Sequence, residues 1–113
     1  MDVYLDCPAF SGYTTAWQAL QRGVPIVCLE GPFLRQRLAA GLLRQSHVTD
    51  GIALSHDQYV ASAVRYAADS CDASRRAAGR HALRQAAARA NDNREAMIAL
   101  AAVLTQAAAA RGR

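Results

Sequence analysis

Polar and apolar positions alternate over Asp2-Val3-Tyr4-Leu5-Asp6, the period of two expected of a strand with one covered face. Pro8 and then Ser11-Gly12 break that pattern, so a strand followed by a loop is predicted. From Thr14 to Arg22, Trp17, Leu20 and the alanines between them recur at helical spacing, and Gly23 supplies a stop before Val24-Pro25. Pro25-Ile26-Val27-Cys28-Leu29 is an unbroken apolar run, which suits a strand covered on both faces of a parallel sheet. Gly31-Pro32 turns the chain, and a proline fits the first helical position because the amide it lacks would have no partner there. A helix is therefore predicted from Pro32 to Gln45. Gly51-Ile52-Ala53-Leu54 reads as a short third strand. Ser55 followed by Gln58 matches a capping box opening a helix in which Tyr59, Val60, Val64 and Tyr66 recur. Asp72 and the Asn91-Asp92-Asn93 run are candidate caps for two more helices, the last carrying Met97, Ile98, Leu100, Val103 and Leu104.

Strand, helix, strand, helix, strand and then helices is the order of an α/β chain with a parallel sheet and right-handed crossovers. At 113 residues one domain is expected, spanning 1–106. The Ala/Arg-rich tail at 107–113 has no large apolar side chain to bury and is expected to fray. No fixed-period repeat is present. The composition, 52% apolar and 19% charged, is that of a folded soluble chain. No stretch has the apolar length of a membrane span and the first residues lack a signal-peptide pattern, so a cytoplasmic protein without membrane association is expected. Cys7, Cys28 and Cys71 are too widely spaced for a zinc or redox pair, and buried, reduced thiols are expected.

The net charge of +4 comes entirely from arginine, since the chain has no lysine. Most arginines lie from Arg65 onward among alanines, as expected of a solvated helix face. A nucleic-acid surface is the rival reading for a basic helical protein, but few aromatics accompany these arginines and no stacking platform for single strands results. Nucleic acid is therefore not expected as a partner. His47, His56 and His81 have no acid or nucleophile at a telling spacing and suit surface or capping roles. Cys7 has no partner histidine, and Trp17 reads as core. No catalytic residue, metal-ligand set or cofactor is assigned within the chain.

Ser11-Gly12-Tyr13-Thr14-Thr15 carries the chemistry, because it joins a strand to the start of a helix. The first amides of a helix lack internal partners and form the positive end of its dipole, so with nearby hydroxyls they can hold a phosphate. Taken alone, a glycine followed by threonines before a helix is more often only a turn and an N-cap. Together with Asp2-Val3-Tyr4-Leu5-Asp6, Ala19-Leu20, Gly23-Val24-Pro25-Ile26-Val27, Gly31, Arg37 and Ala39-Ala40, the segment resembles, in order and spacing, the C-terminal catalytic region of O-linked N-acetylglucosamine transferases and their bacterial relatives with tetratricopeptide repeats. Weaker similarity continues through Asp57-Gln58-Tyr59-Val60 into the last helices.

The resemblance implies a three-layer, Rossmann-like half-domain of a GT-B fold that holds a UDP-sugar donor and serves a protein acceptor in the complete enzyme. It assigns nucleotide-sugar contacts to Gly12, Tyr13, Thr14, Thr15, Gln18 and Arg37. In that family a Gly-His-Thr-Thr segment contacts the diphosphate and an aspartate one turn later binds the ribose hydroxyls. Thr14 and Thr15 match the two threonines. Tyr13 stands where the family commonly has histidine or glycine, and Gln18 stands at the aspartate. Arg37 matches a family arginine, and a salt bridge to Asp6 or Glu30 is its structural alternative. The family's base candidates and a phosphate-binding lysine lie upstream of the matched region. The chain is accordingly expected to be an incomplete transferase, inactive without its missing N-terminal catalytic domain. The alternative is a non-catalytic binding or assembly module that keeps the fold and has lost donor recognition.

Overall fold

The computed structural model describes residues 1–112. Three parallel strands, β1 (Tyr4–Leu5), β2 (Ile26–Leu29) and β3 (Ile52–Ala53), lie in the order β1-β2-β3. Tyr4 pairs with Ile26 and Leu5 with Val27, and on the other edge Cys28 pairs with Ile52 and Leu29 with Ala53. Helix α1 (Thr14–Gln21) connects the first two strands, and α2 (Leu38–Gln45), after a 3₁₀ turn at Leu34–Gln36, connects the second pair. Right-handed crossovers place both helices on one side of the sheet, where they pack on β2 and on each other. Helix α3 (His56–Ser70) packs on β2 and β3, and α4 (Ala73–Asn91) bridges from α3 back to α1. Helix, sheet and helix make the expected α/β sandwich. The last helix, α5 (Arg94–Arg111), buries none of its residues, and with it the molecule reaches 63 Å in its longest dimension.

Helices α1 and α2 end in the same way for different reasons. In α1, Gly23 and Val24 donate to the carbonyls of Leu20 and Ala19 at 2.9 Å each, and Gly23 takes a φ of 72°. This pair of bonds closes the open carbonyls of the last turn and requires a left-handed residue. In α2, His47 and Val48 donate to Arg44 and Leu43 at 3.1 and 2.9 Å, but the left-handed residue is His47, with a φ of 57°. The capping role expected of a histidine is thus realised at a position where glycine would cost less.

Leu20, Val27, Cys28 and Leu43 are the large side chains with no contact with water, and alanines at 16, 39 and 40 let α1 and α2 approach the sheet. Burying one leucine completely contributes about 1.5–3 kcal/mol. Trp17 is partly buried against this cluster, as expected. The caps read from sequence are also in place. Ser55 accepts from Gln58 N at 3.2 Å, Asp72 from Arg75 N at 2.9 Å and Asn93 from Ala96 N at 3.2 Å. The Gln58 side chain reaches back as a capping box requires, but to the amide of Leu54 at 2.9 Å.

Four expectations are corrected. The helix predicted from Pro32 starts at Leu38, because Phe33 is extended (φ −93°, ψ 147°) and Arg37 (φ −122°, ψ 3°) separates the 3₁₀ turn from α2. Of the four residues that recur in α3, Tyr59 and Tyr66 are half-buried, whereas Val60 and Val64 are exposed. Cys28 alone is buried among the three thiols, while Cys7 and Cys71 are exposed. Finally, the arginines of α4 are more than a solvated face. Arg76 lies 2.8 Å from Asp2 Oδ1, Arg80 donates to Met1 O at 3.0 Å, and Arg84 donates to Arg22 O at 3.3 Å, so they tie α4 to the first strand and to α1. Of the tail at 107–113, the part through Arg111 is helical and Arg113 lies outside the described residues.

Candidate functional site

The loops that follow the three strands meet at the carboxyl end of the sheet, where open α/β folds bind ligands. Asp6 follows β1 and is 1% exposed. Its backbone is fixed on both sides, the amide donating to Val27 O at 2.8 Å and the carbonyl accepting from the Tyr59 hydroxyl at 2.9 Å. Its carboxylate accepts from Ser11 Oγ at 2.5 Å and from Gly12 N at 2.8 Å. Ser11, equally buried, accepts in turn from Ala39 N at 2.8 Å. The N-cap residue of α2, Arg37, makes no side-chain cap of its own. Ser11 therefore caps α2 from 28 residues away. Neither Asp6 nor Ser11 was singled out for this role from sequence. The available signal is a carboxylate at a strand's end with a Ser-Gly pair five and six residues later.

Gly12 is required by close approach. A Cβ there would stand 2.7 Å from the Tyr4 hydroxyl, closer than side-chain atoms pack. Burial first, and the neighbouring Asp6 charge and hydrogen bond next, push the Tyr4 phenol above its ordinary value. The Gly12 amide points inward to Asp6, so it is the next amides that face outward. Tyr13 at the N-cap of α1 offers no side-chain acceptor and the first turn holds no acidic residue. The amides of Thr14, Thr15 and Ala16 consequently have no acceptor among the described residues. Tyr13, Thr14, Thr15 and Gln18 are all exposed beside them. A helix end of this kind has a standing preference for an anion.

Arg37 reaches the same edge, since Ser11 N donates to Arg35 O at 2.7 Å and holds the 35–39 segment against the turn. Its guanidinium pairs with Glu30, Nε to Oε1 at 3.0 Å, which is the structural alternative weighed for it. Arg44 forks onto the same carboxylate, with Nη1 at 2.7 Å from Oε1 and Nη2 on Oε2. These bonds, with Arg44 the larger influence, hold the Glu30 carboxyl below the usual range. Among the described residues no hydrogen bond links Arg37 to Gly12–Gln18. Burial, with the charges of Asp6 and Glu30, pushes the Cys28 thiol up to about 12, which removes it as a nucleophile at neutral pH. Among the described residues no group of His, Cys, Asp and Glu has the arrangement of a metal site.

A groove of about 610 Å³ lies elsewhere. Asp2, Pro25, His47, Asp50 and Tyr66 line it with Arg75, Arg76, Arg80 and Arg89 of α4, which puts it at the amino ends of the strands. Its Arg76 and Arg80 are already engaged with Asp2. Volume points to one end of the sheet, and the free helix amides and strand polarity point to the other. The carboxyl end is preferred, because ligands of open α/β sheets bind beyond the carboxyl ends of the strands and the amides without acceptors lie there.

The family model described as glycosyl transferase family 41 matches residues 1–94. The chain belongs to glycosyl transferase family 41. A Solanum lycopersicum protein, the probable UDP-N-acetylglucosamine--peptide N-acetylglucosaminyltransferase SPINDLY, is 33% identical over 69 residues, covering 61% of this chain and 7% of its own length. A solved structure of an O-GlcNAc transferase mutant from Thermobaculum terrenum superposes with a TM-score of 0.70 at 30% identity, covering 82% of this chain and 17% of that one. This family 41 chain thus spans a small fraction of each relative. The structural match carries the GT-B assignment and the three-stranded parallel sheet expected of it. Among the described residues of the family 41 chain, no helix is long and apolar enough to cross a membrane.

Proposed function

We propose that this chain is the donor-binding part of a family 41 glycosyltransferase, holding the diphosphate of a UDP-sugar at the amino end of α1. The single observation that carries the reading is the uncapped first turn of α1, set at the carboxyl end of β1 and flanked by the Thr14 and Thr15 hydroxyls. Its dipole and free amides favour a dianionic ligand, and the same groups would stabilise the negative charge that grows on the diphosphate as the sugar departs. Gly12 allows the chain to enter the turn, Tyr13 flanks it, and Gln18 lies four residues beyond Thr14 on the same helix face, in reach of a ribose. Arg37, anchored by Glu30, supplies positive potential at the edge. The acceptor in the complete enzyme is a protein hydroxyl. The groups that activate it belong to an N-terminal catalytic domain outside these residues, so this stretch by itself transfers no sugar.

Gln18 favours one rival, a module that keeps the fold without donor recognition, because a neutral amide binds ribose hydroxyls more weakly than a carboxylate does. Titration with UDP followed by amide chemical shifts separates the two. Saturable changes centred on Gly12 to Gln18 support donor binding. Changes confined to the arginines of α4, or none, support the rival. Incubation with UDP-N-acetylglucosamine and acceptor peptides should release no UDP, and turnover proportional to the amount of chain would show that no second half is needed.

A further inference from the structure

We propose that Asp6 is the positioning residue of the donor site, aligning the amides of α1 through Gly12 and locking α2 to the same turn through Ser11. The inference rests on the donor-binding reading above and extends it to a residue that would touch no ligand. A buried carboxylate without cationic partners is costly unless its acceptors are filled. Asp6 has none of the chain's arginines within ion-pair distance among the described residues. Two of its bonds are instead directed to the Ser11-Gly12 turn, at 2.5 and 2.8 Å. Charge-assisted bonds of this length are stronger and more directional than neutral ones.

The geometry makes Asp6 a junction. Its backbone is fixed to β2 through Val27 and to α3 through Tyr59, and its side chain is fixed to the turn that starts α1. Ser11 passes the same restraint to Ala39 at the start of α2. The amino ends of both crossover helices are therefore referenced to one buried carboxylate. With the Gly12 amide held inward, the following amides of Thr14, Thr15 and Ala16 are left facing outward together. Losing the anchor would let the turn rotate, and a site made of converging amides loses affinity when their directions disperse.

The test uses the full chain, with UDP and inorganic pyrophosphate as probes of the diphosphate site and uridine as a probe that lacks phosphate. Asp6→Ala should weaken UDP and pyrophosphate about tenfold while leaving uridine within about twofold. Asp6→Asn keeps an acceptor for Gly12 N and should restore most of the affinity. Ser11→Ala, which frees α2 and spares the Gly12 bond, should fall between them and shift the amide resonances of Thr14 to Ala16 in the free protein. If Asp6→Ala does not fold, Ser11→Ala carries the comparison with Asp6→Asn, and wild-type pyrophosphate affinity in Ser11→Ala overturns the proposal. Equal losses for UDP and uridine, in proportion to the unfolded fraction, would make Asp6 purely structural and also overturn it. A folded Asp6→Ala chain that binds UDP normally overturns the positioning role and leaves the donor site standing. Absence of UDP binding by the unaltered chain removes the donor site and this proposal together.

Discussion

Replacing Gly12 by alanine tests the turn at its tightest point. The new methyl carbon would stand 2.7 Å from the Tyr4 hydroxyl oxygen and 3.6 Å from Asp6 Oδ1, so the clash is with tyrosine and not with the carboxylate. Gly12 does not occupy the left-handed region, since Gly23 is the positive-φ glycine among the described residues. The backbone can therefore accept alanine, which by itself would stabilise the chain by about 0.4–1 kcal/mol through the unfolded state. Overpacking by one methyl costs about 1–3 kcal/mol. The balance is a destabilisation of about 1–2 kcal/mol. In a Tyr4→Phe background the opposing oxygen is gone, and the same substitution should become neutral or mildly stabilising. The coupling between the two changes should reach about 1.5 kcal/mol, within the range for residues in contact. Urea denaturation of the four variants measures it, read as a shift of midpoint at constant slope. Equal costs of Gly12→Ala with and without the Tyr4 hydroxyl would refute the assignment of the clash, and with it the account of why glycine stands at the site.

Four further outcomes are expected. Glu30→Gln should cost about 1–2 kcal/mol at pH 7, because the two arginines on that carboxylate are themselves half exposed. Since the folded carboxyl titrates below its ordinary value, that contribution is complete above about pH 4.3 and is lost as pH falls through the folded pKa; the gap between the urea midpoints of the two proteins should be constant from pH 7 to about pH 5 and shrink as the solution is made more acidic than about pH 4.3. Gly23→Ala should cost about 2–4 kcal/mol, combining left-handed strain with a Cβ 2.5 Å from Arg80 O. His47→Gly at the equivalent cap of α2 should instead raise stability by about 0.5–1 kcal/mol, and thermal melts showing the same sign for both would contradict the cap geometry. Gln18→Asp should tighten UDP binding about fivefold, roughly 1 kcal/mol, and calorimetry showing unchanged affinities for UDP and uridine in a folded variant would remove Gln18 from the ribose site.

Short-range chemistry was the legible part of this chain. Ser55, Asp72 and Asn93 announce their helices because a cap is a bond between residues three apart. Gly23 announces the end of α1 for a similar reason, whereas His47 performs the same task without a glycine to mark it. Pro32 misled because a favourable first helical residue does not oblige the chain to continue, and the extended Phe33 follows directly. Val60 and Val64 were apolar yet faced outward, since the outer side of α3 is not covered by the elements described. The turn residues Gly12 to Thr15 were found through their order along the chain. The buried pair that holds them was not. The bond from Ser11 to Ala39 spans 28 residues, and no local pattern encodes a cap donated by another loop.

Helix α5 makes the molecule two physical objects on one backbone. The sheet and helices α1 to α4 pack on one another, whereas α5 buries none of its residues and carries Met97, Leu100, Val103 and Leu104 in the open. An 18-residue helix with no buried residue is only a little longer than the roughly 12–15 residues below which isolated helices are marginal in water. Its melting is then a gradual helix–coil process set by its own sequence, while the body unfolds cooperatively around Leu20 and Leu43. The single tryptophan, Trp17, lies in the body. Fluorescence follows the body alone, and far-ultraviolet dichroism sums both objects, so the two signals trace different curves even when the body itself unfolds in one step.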